Sequence, residues 1–126
     1  MDILKHIGRI IFAIPFLVFG INHFIYAKMM VGLVPSFVPG GIFWVYAVGV
    51  GLIAASISIA INKMVKISGL LLALLLLSFD LTIHLPGLGN PQTAQMAMGG
   101  LLKDTALLGG AIMASAFFGN WEKKSF

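Results

Sequence analysis

Four long apolar runs, nearly free of charge, constrain this chain more than any other feature. They cover residues 7–24, 42–61, 67–85 and 98–118, and the second contains no charged residue at all. A helix rises about 1.5 Å per residue, so each run can cross a hydrocarbon core of roughly 30 Å. Backbone N–H and C=O groups facing lipid must be satisfied within the segment, so runs of this kind become helices. Four spans of about 20 residues leave enough of the chain for three loops and two tails, and a fifth span does not fit comfortably. The expected fold is an all-α membrane protein, a single domain over residues 1–126 built as a four-transmembrane-helix bundle.

Composition supports this and excludes several function classes. The chain is 60% hydrophobic and 10% charged, with a mean hydropathy of +1.05, whereas soluble domains carry about 25% charged residues. It has no cysteine, which rules out thiolate catalysis, cysteine-ligated zinc and iron–sulfur clusters in this chain. Eight basic residues face four acidic ones. Lys5, Arg9, Lys63, Lys66, Lys123 and Lys124 fall on one side if the spans alternate, and the opposite loops carry only Lys28. The positive-inside rule then places both termini in the cytoplasm. Topology thus accounts for the excess charge. No basic patch with interleaved aromatics suggests nucleic acid.

The connectors read as breakers. The stretch Val34-Pro35-Ser36-Phe37-Val38-Pro39-Gly40-Gly41 and the later Pro86-Gly87-Leu88-Gly89-Asn90-Pro91 combine proline with glycine, and Asn62 to Lys66 form a short turn. Lys5 and Arg9 precede the first run as they would in a signal peptide, but no A-x-A site follows before Asn22-His23, so the run is read as a retained helix. Pro15 predicts a kink there. Small-residue stripes at four-residue spacing, Ala47-Gly51-Ala55 and Ala106-Gly110-Ala114, predict where helix backbones approach closely. Trp44, Tyr46 and Trp121 read as interfacial aromatics, Arg9 and Lys5 as inner-face anchors and His6 as an interfacial residue.

Any chemistry lies in the polar residues within the spans: Asn22, His23, Asp80, His84, Lys103 and Asp104, with Thr82 and Thr105 nearby. Counted from Lys66, Asp80 sits about 21 Å and His84 about 27 Å from the inner boundary. Lys103 and Asp104 enter roughly 8–9 Å from the outer boundary, and His23 closes the first span at its outer end. All therefore converge on the outer half of the bilayer. Asp80 and His84, four apart, share a helix face on the stripe Ala73, Leu77, Asp80, His84. Facing lipid would cost each ionisable group of order 2–3 kcal/mol, so the stripe is expected to face inward. Lys103, on the stripe Gly99-Lys103-Ala106-Gly110, is expected to pair with Asp80. Asp104, rotated by about 100°, is expected to meet His23 or His84.

The residues His23, Asp80, His84, Lys103 and Asp104 thus form a candidate ligand-binding set. The structural alternative is that they only bond across helices, at about 0.6 kcal/mol per bond. Two histidines and two carboxylates could ligate an ion, but no spacing signature supports a metal, and none is expected. Met29, Met30, Met96 and Met98 read as loop and packing residues in preference to a copper site.

Several of these features together resemble the DoxX/DoxD-like membrane proteins. They are Arg9 followed by Phe19-Gly20-x-x-His23-Phe24, then Val34-Pro35-x-Phe37-Val38-Pro39-Gly40, Trp44 and a Gly-rich second span. Asp80-x-x-x-His84 and Lys103-Asp104-x-Ala106-Leu107-x-Gly109-Gly110-Ala111 continue the pattern over nearly the whole chain. The resemblance implies a four-helix protein of a bacterial or archaeal plasma membrane with a quinone-linked redox role. It carries that role onto His23, Asp80, His84, Lys103 and Asp104, with quinone as the cofactor and an oxidoreductase partner to supply electrons. Membrane lipids surround such a subunit, and a homo-oligomer is compatible with it. The alternative is a non-catalytic bundle that binds a lipid or small molecule, or scaffolds a complex.

Overall fold

A computed structural model of the chain describes residues 2–33, 36–37 and 39–118. Among these residues there are helices and turns and no strand. Helix α1 spans Asp2–Ile25, and a short α2, Ala27–Met30, leads into a 3₁₀ turn at Val31–Leu33. Helix α3 spans Ile42–Ala60 and α4 spans Val65–Phe79. A π-helical turn at Asp80–His84 joins α4 to the short α5, Leu85–Gly87, and α6 spans Ala94–Phe118. Four segments are long and apolar enough to cross a membrane: Ile3–Ile25, Ile42–Ala60, Val65–Gly87 and Ala94–Phe118. The protein is therefore an all-helical multi-pass membrane protein, with each span close to its expected limits. The fourth begins earlier than expected, at Ala94. Val34, Pro35, Val38, Trp121, Lys123 and Lys124 lie outside the described residues.

The chain divides into two compact units, Met1–Met64 and Val65–Phe126. In the first, α1 and α3 pack as an antiparallel hairpin whose register is set by three levels of contact. At one end the Arg9 guanidinium donates to the carbonyls of Ile59 at 2.7 Å and Ala60 at 2.5 Å, and it lies 3.1 Å from His6 Nδ1. These carbonyls belong to the last turn of α3, where the regular ladder runs out and Ile59 keeps a 3.2 Å bond from the Asn62 amide, and a cation there also opposes the negative end of the helix dipole. Arg9 is buried. It is an internal cap on α3. Midway, Ser56 Oγ donates to the Ala13 carbonyl at 2.9 Å. At the far end Gly20 and Gly49 meet: a Cβ on Gly20 would lie 2.9 Å from the Gly49 carbonyl oxygen, and one on Gly49 would lie 2.9 Å from His23 Cβ. Phe24 and Tyr46 stack beyond them with centroids 5.5 Å apart. α1 runs through Pro15 as one helix.

The second unit is also an antiparallel hairpin, α4 with its π turn against α6. Ser115 Oγ donates to the Lys66 carbonyl at 2.9 Å, and a Cβ on Gly69 would meet the Ala111 carbonyl oxygen at 2.9 Å. At the other end Gly87 lies against Ala97. Both expected small-residue stripes are displaced. Gly51 opens onto empty space, and the buried face of α3 is Val45, Gly49, Leu52, Ala55, Ser56 and Ile59. On α6 the buried residues are Ala97, Asp104, Ala111, Ala114 and Ser115, while Ala106 is exposed. A four-residue count drifts around a helix of 3.6 residues per turn, so a face of this length needs mixed steps of three and four.

Candidate functional site

The second hairpin owes its polar end to one proline. Pro86 has no amide to donate to the Thr82 carbonyl, and its ring crowds that carbonyl in a regular α-helix. The ladder relaxes by widening ahead of it: the Leu85 amide reaches back five residues to the Asp80 carbonyl. Such π turns occur often at functional sites because they redirect side chains within a continuous helix. Thr82 Oγ1 donates to the Ser78 carbonyl at 2.7 Å, steadying the entry to the turn.

The turn presents Asp80 and His84 to α6. His84 Nε2 lies 2.8 Å from Asp104 Oδ2. With the carboxylate ionised, that nitrogen carries the proton and donates it. Thr105 Oγ1 donates to Asp80 Oδ2 at 3.1 Å. Asp80 and Asp104 are each only 5% exposed, while the His84 side chain keeps 20% of its surface open. Asp80 Oδ1 is buried and accepts no hydrogen bond. One ligand atom from each of Asp80, His84 and Asp104 falls within 4.8 Å of the others.

Gly100 is what lets the imidazole lie there. A Cβ on Gly100 would meet His84 Cε1 at 2.5 Å and Nδ1 at 2.6 Å, so any larger residue would push the ring off Asp104. Nothing in the periodicity of the fourth apolar run marks Gly100. Its only signal is its place one helical turn before Asp104, where a small residue leaves room beside a carboxylate.

The sequence-predicted residues are thus sorted. Asp80, His84 and Asp104 come together, and Asp104 meets His84 as one of its two expected partners. The expected Asp80–Lys103 ion pair is replaced: Asp80 takes Thr105, and Lys103 Nζ stands 3.8 Å from Asp104 Oδ1. Lys103 is also not interior, since its side chain is 55% exposed. The inward face of α6 is centred on Asp104, and its neighbour in sequence is turned about 100° away. Leu77 and Gly99, expected on the same inward stripes, are likewise exposed. His23 sits in the first hairpin, where its Nδ1 lies 2.6 Å from the Phe19 carbonyl oxygen one turn back. A carbonyl only accepts, so Nδ1 holds the proton and the neutral ring offers Nε2 as an acceptor.

This arrangement has defined chemical capacities. An imidazole with one nitrogen held on a buried carboxylate keeps the other nitrogen to meet a ligand. A buried carboxylate oxygen with no donor costs about 1–3 kcal/mol and gains from a ligand hydroxyl or a cation.

A family model described as a domain of unknown function, DUF8561, matches residues 12–98, well over half of the chain. The chain belongs to the DUF8561 family. The matched stretch includes His23, the π turn, Asp80 and His84, and ends before Lys103 and Asp104. Comparison with curated proteins and with solved structures finds no match.

Proposed function

We propose that this DUF8561 protein is a quinone-linked membrane subunit, related to the DoxX/DoxD-like proteins, that binds the polar headgroup of a small apolar ligand at His84, Asp104 and Asp80. The observation that carries the reading is the His84–Asp104 contact of 2.8 Å, a polar pair set in an apolar span with part of the imidazole open. Intramembrane ionisable residues are a functional hypothesis by default. A quinone gaining two electrons also takes up two protons. A histidine, His84, would donate a hydrogen bond to a quinone carbonyl, and Asp80 or Lys103 would pass on the accompanying protons. The two electrons would come from a partner oxidoreductase, because the chain has no cysteine with which to ligate an iron–sulfur carrier. Lys103, beside Asp104, adds positive charge at the mouth. His23, in the first hairpin, separately offers its acceptor Nε2 to a ligand. The excess of Lys and Arg at one set of ends supports an orientation with both termini in the cytoplasm of a bacterial or archaeal plasma membrane.

The test is mass spectrometry and an optical spectrum of protein purified in mild detergent, beside a double variant Asp80→Asn, His84→Ala. Stoichiometric quinone in the wild type, lost in the variant, is the expected result. A retained lipid that resists redox titration would instead support the non-catalytic lipid-binding or scaffold reading. An empty wild type that fails to bind added quinol would end the headgroup reading.

A further inference from the structure

We propose that Asp80, His84 and Asp104 form a binding site for one divalent first-row transition metal ion, of the class of Zn2+, Fe2+ or Mn2+. The inference goes beyond the headgroup reading and does not depend on it. Three side chains from two helices bring one ligand atom each within 4.8 Å of one another. A metal held at about 2.0–2.2 Å from nitrogen and oxygen donors needs those donors roughly 3–3.5 Å apart. The 2.8 Å His84–Asp104 contact is slightly tighter than that and opens by a small side-chain movement, while the widest pair, within 4.8 Å, closes by up to about 1.3–1.8 Å through side-chain rotation.

The second observation is independent of the cluster. Asp80 Oδ1 is buried, on a residue 5% exposed, and accepts no hydrogen bond. An oxygen so placed lacks a positive partner, and a cation among the three residues would supply one. The other oxygen, Oδ2, is held by Thr105 Oγ1. A hydrogen-bonded second oxygen is how metal-ligating carboxylates are oriented. Gly100 plays the corresponding part for the imidazole by fixing where its ring lies. Two carboxylates and one imidazole suit Zn2+, Fe2+ or Mn2+ and disfavour Cu(I), which seeks sulfur. With three protein ligands, at least one coordination position stays open, as in sites that bind a further small molecule.

Metal entry requires a bare imidazole nitrogen. The Nε2 proton that now faces Asp104 is displaced as the metal takes that nitrogen. Lys103 Nζ, 3.8 Å from Asp104 Oδ1 on an exposed side chain, competes for the same carboxylate and can swing clear.

The experiment is a Zn2+ titration by calorimetry of the full chain in detergent after chelator treatment, with bound metal counted by elemental analysis and no quinone present. The expected result is one saturable equivalent, absent from Asp80→Asn and from His84→Gln. Thr105→Val should keep the equivalent with about tenfold weaker affinity, the usual size of an outer-shell effect. His6→Gln, in the other hairpin, should bind as wild type does. Asp80→Asn is nearly isosteric and keeps its bond to Thr105, so it decides the matter even where His84→Gln fails to fold. No saturable equivalent in the wild type, or equal affinity in the wild type and Asp80→Asn, overturns the site. Because quinone is left out, loss of the metal site and loss of the headgroup site are read separately.

Discussion

The two hairpins solve one packing problem and differ in what they do with their polar groups. Each closes on glycines: Gly20 against Gly49 in the first, Gly69 against Ala111 in the second. In the first hairpin the polar side chains point mainly at backbone carbonyls, with His6 beside Arg9 as the exception. Arg9 holds Ile59 and Ala60, Ser56 holds Ala13, and His23 holds Phe19. The second follows the same rule at one end, where Ser115 holds the Lys66 carbonyl. At its other end side chain meets side chain, His84 with Asp104 and Thr105 with Asp80, and one carboxylate oxygen is left over. A carbonyl in a helix cannot change partner or protonation state, whereas a carboxylate or an imidazole can do both. Polar groups of the first kind hold a fold together, and those of the second kind leave it something to exchange.

That contrast can be broken by stability measurements in mixed micelles, with unfolding followed by circular dichroism. The largest effect is expected from Arg9→Met, which keeps the apolar stem and abandons two buried carbonyls. It should lose about 3 kcal/mol or more, the sum of two hydrogen bonds to a charged group. A neutral result would mean that the first hairpin does not depend on its polar contacts. Next come Gly20→Ala and Gly69→Ala, whose added methyl groups meet backbone at 2.9 Å. Each should destabilise by about 1–3 kcal/mol, and by similar amounts, because the packing logic is shared.

Asp80→Asn should have the opposite sign. In chelator-treated protein, replacing the carboxylate relieves an unsatisfied charge and should stabilise by about 1 kcal/mol. A loss of that size would show Asp80 to be as structurally committed as Arg9. The smallest effect is expected at Gly51, where a methyl group meets nothing within 4 Å. Gly51→Ala should stabilise by at most about 0.8 kcal/mol through helix propensity alone. Destabilisation would mean that the face of α3 bearing Gly51 is covered.

Much of this is legible in the sequence. Apolar length alone locates the four helices, because a hydrocarbon environment leaves the backbone no other way to satisfy itself. The convergence of Asp80, His84 and Asp104 comes from counting rise per residue. Rotation about the helix axis is the part that does not come through. Asp80 pairs with Thr105 in place of Lys103, and the stripes through Gly51 and Ala106 bury only their last members, Ala55 and Ala114. Where nearly every residue is apolar, periodicity cannot say which face is inward, since lipid and protein interior accept the same side chains. Nor does the sequence name the partner of Arg9, since the end of α3 lies fifty residues away.

The π turn has a consequence for how the site is written into the chain. A turn that reaches back five residues holds one residue more than the α-helix on either side of it. The turn takes up that residue locally, so the helix before and after it faces as it would without the extra residue. Deleting Thr82 would hardly shorten the span or turn the residues beyond it, yet it would set Asp80 and His84 three residues apart in place of four. The His84–Asp104 contact should then be disturbed, a change visible in the nitrogen resonances of the ring, while the packing of the rest of the span is kept. The site is encoded by a count of residues as much as by their identity.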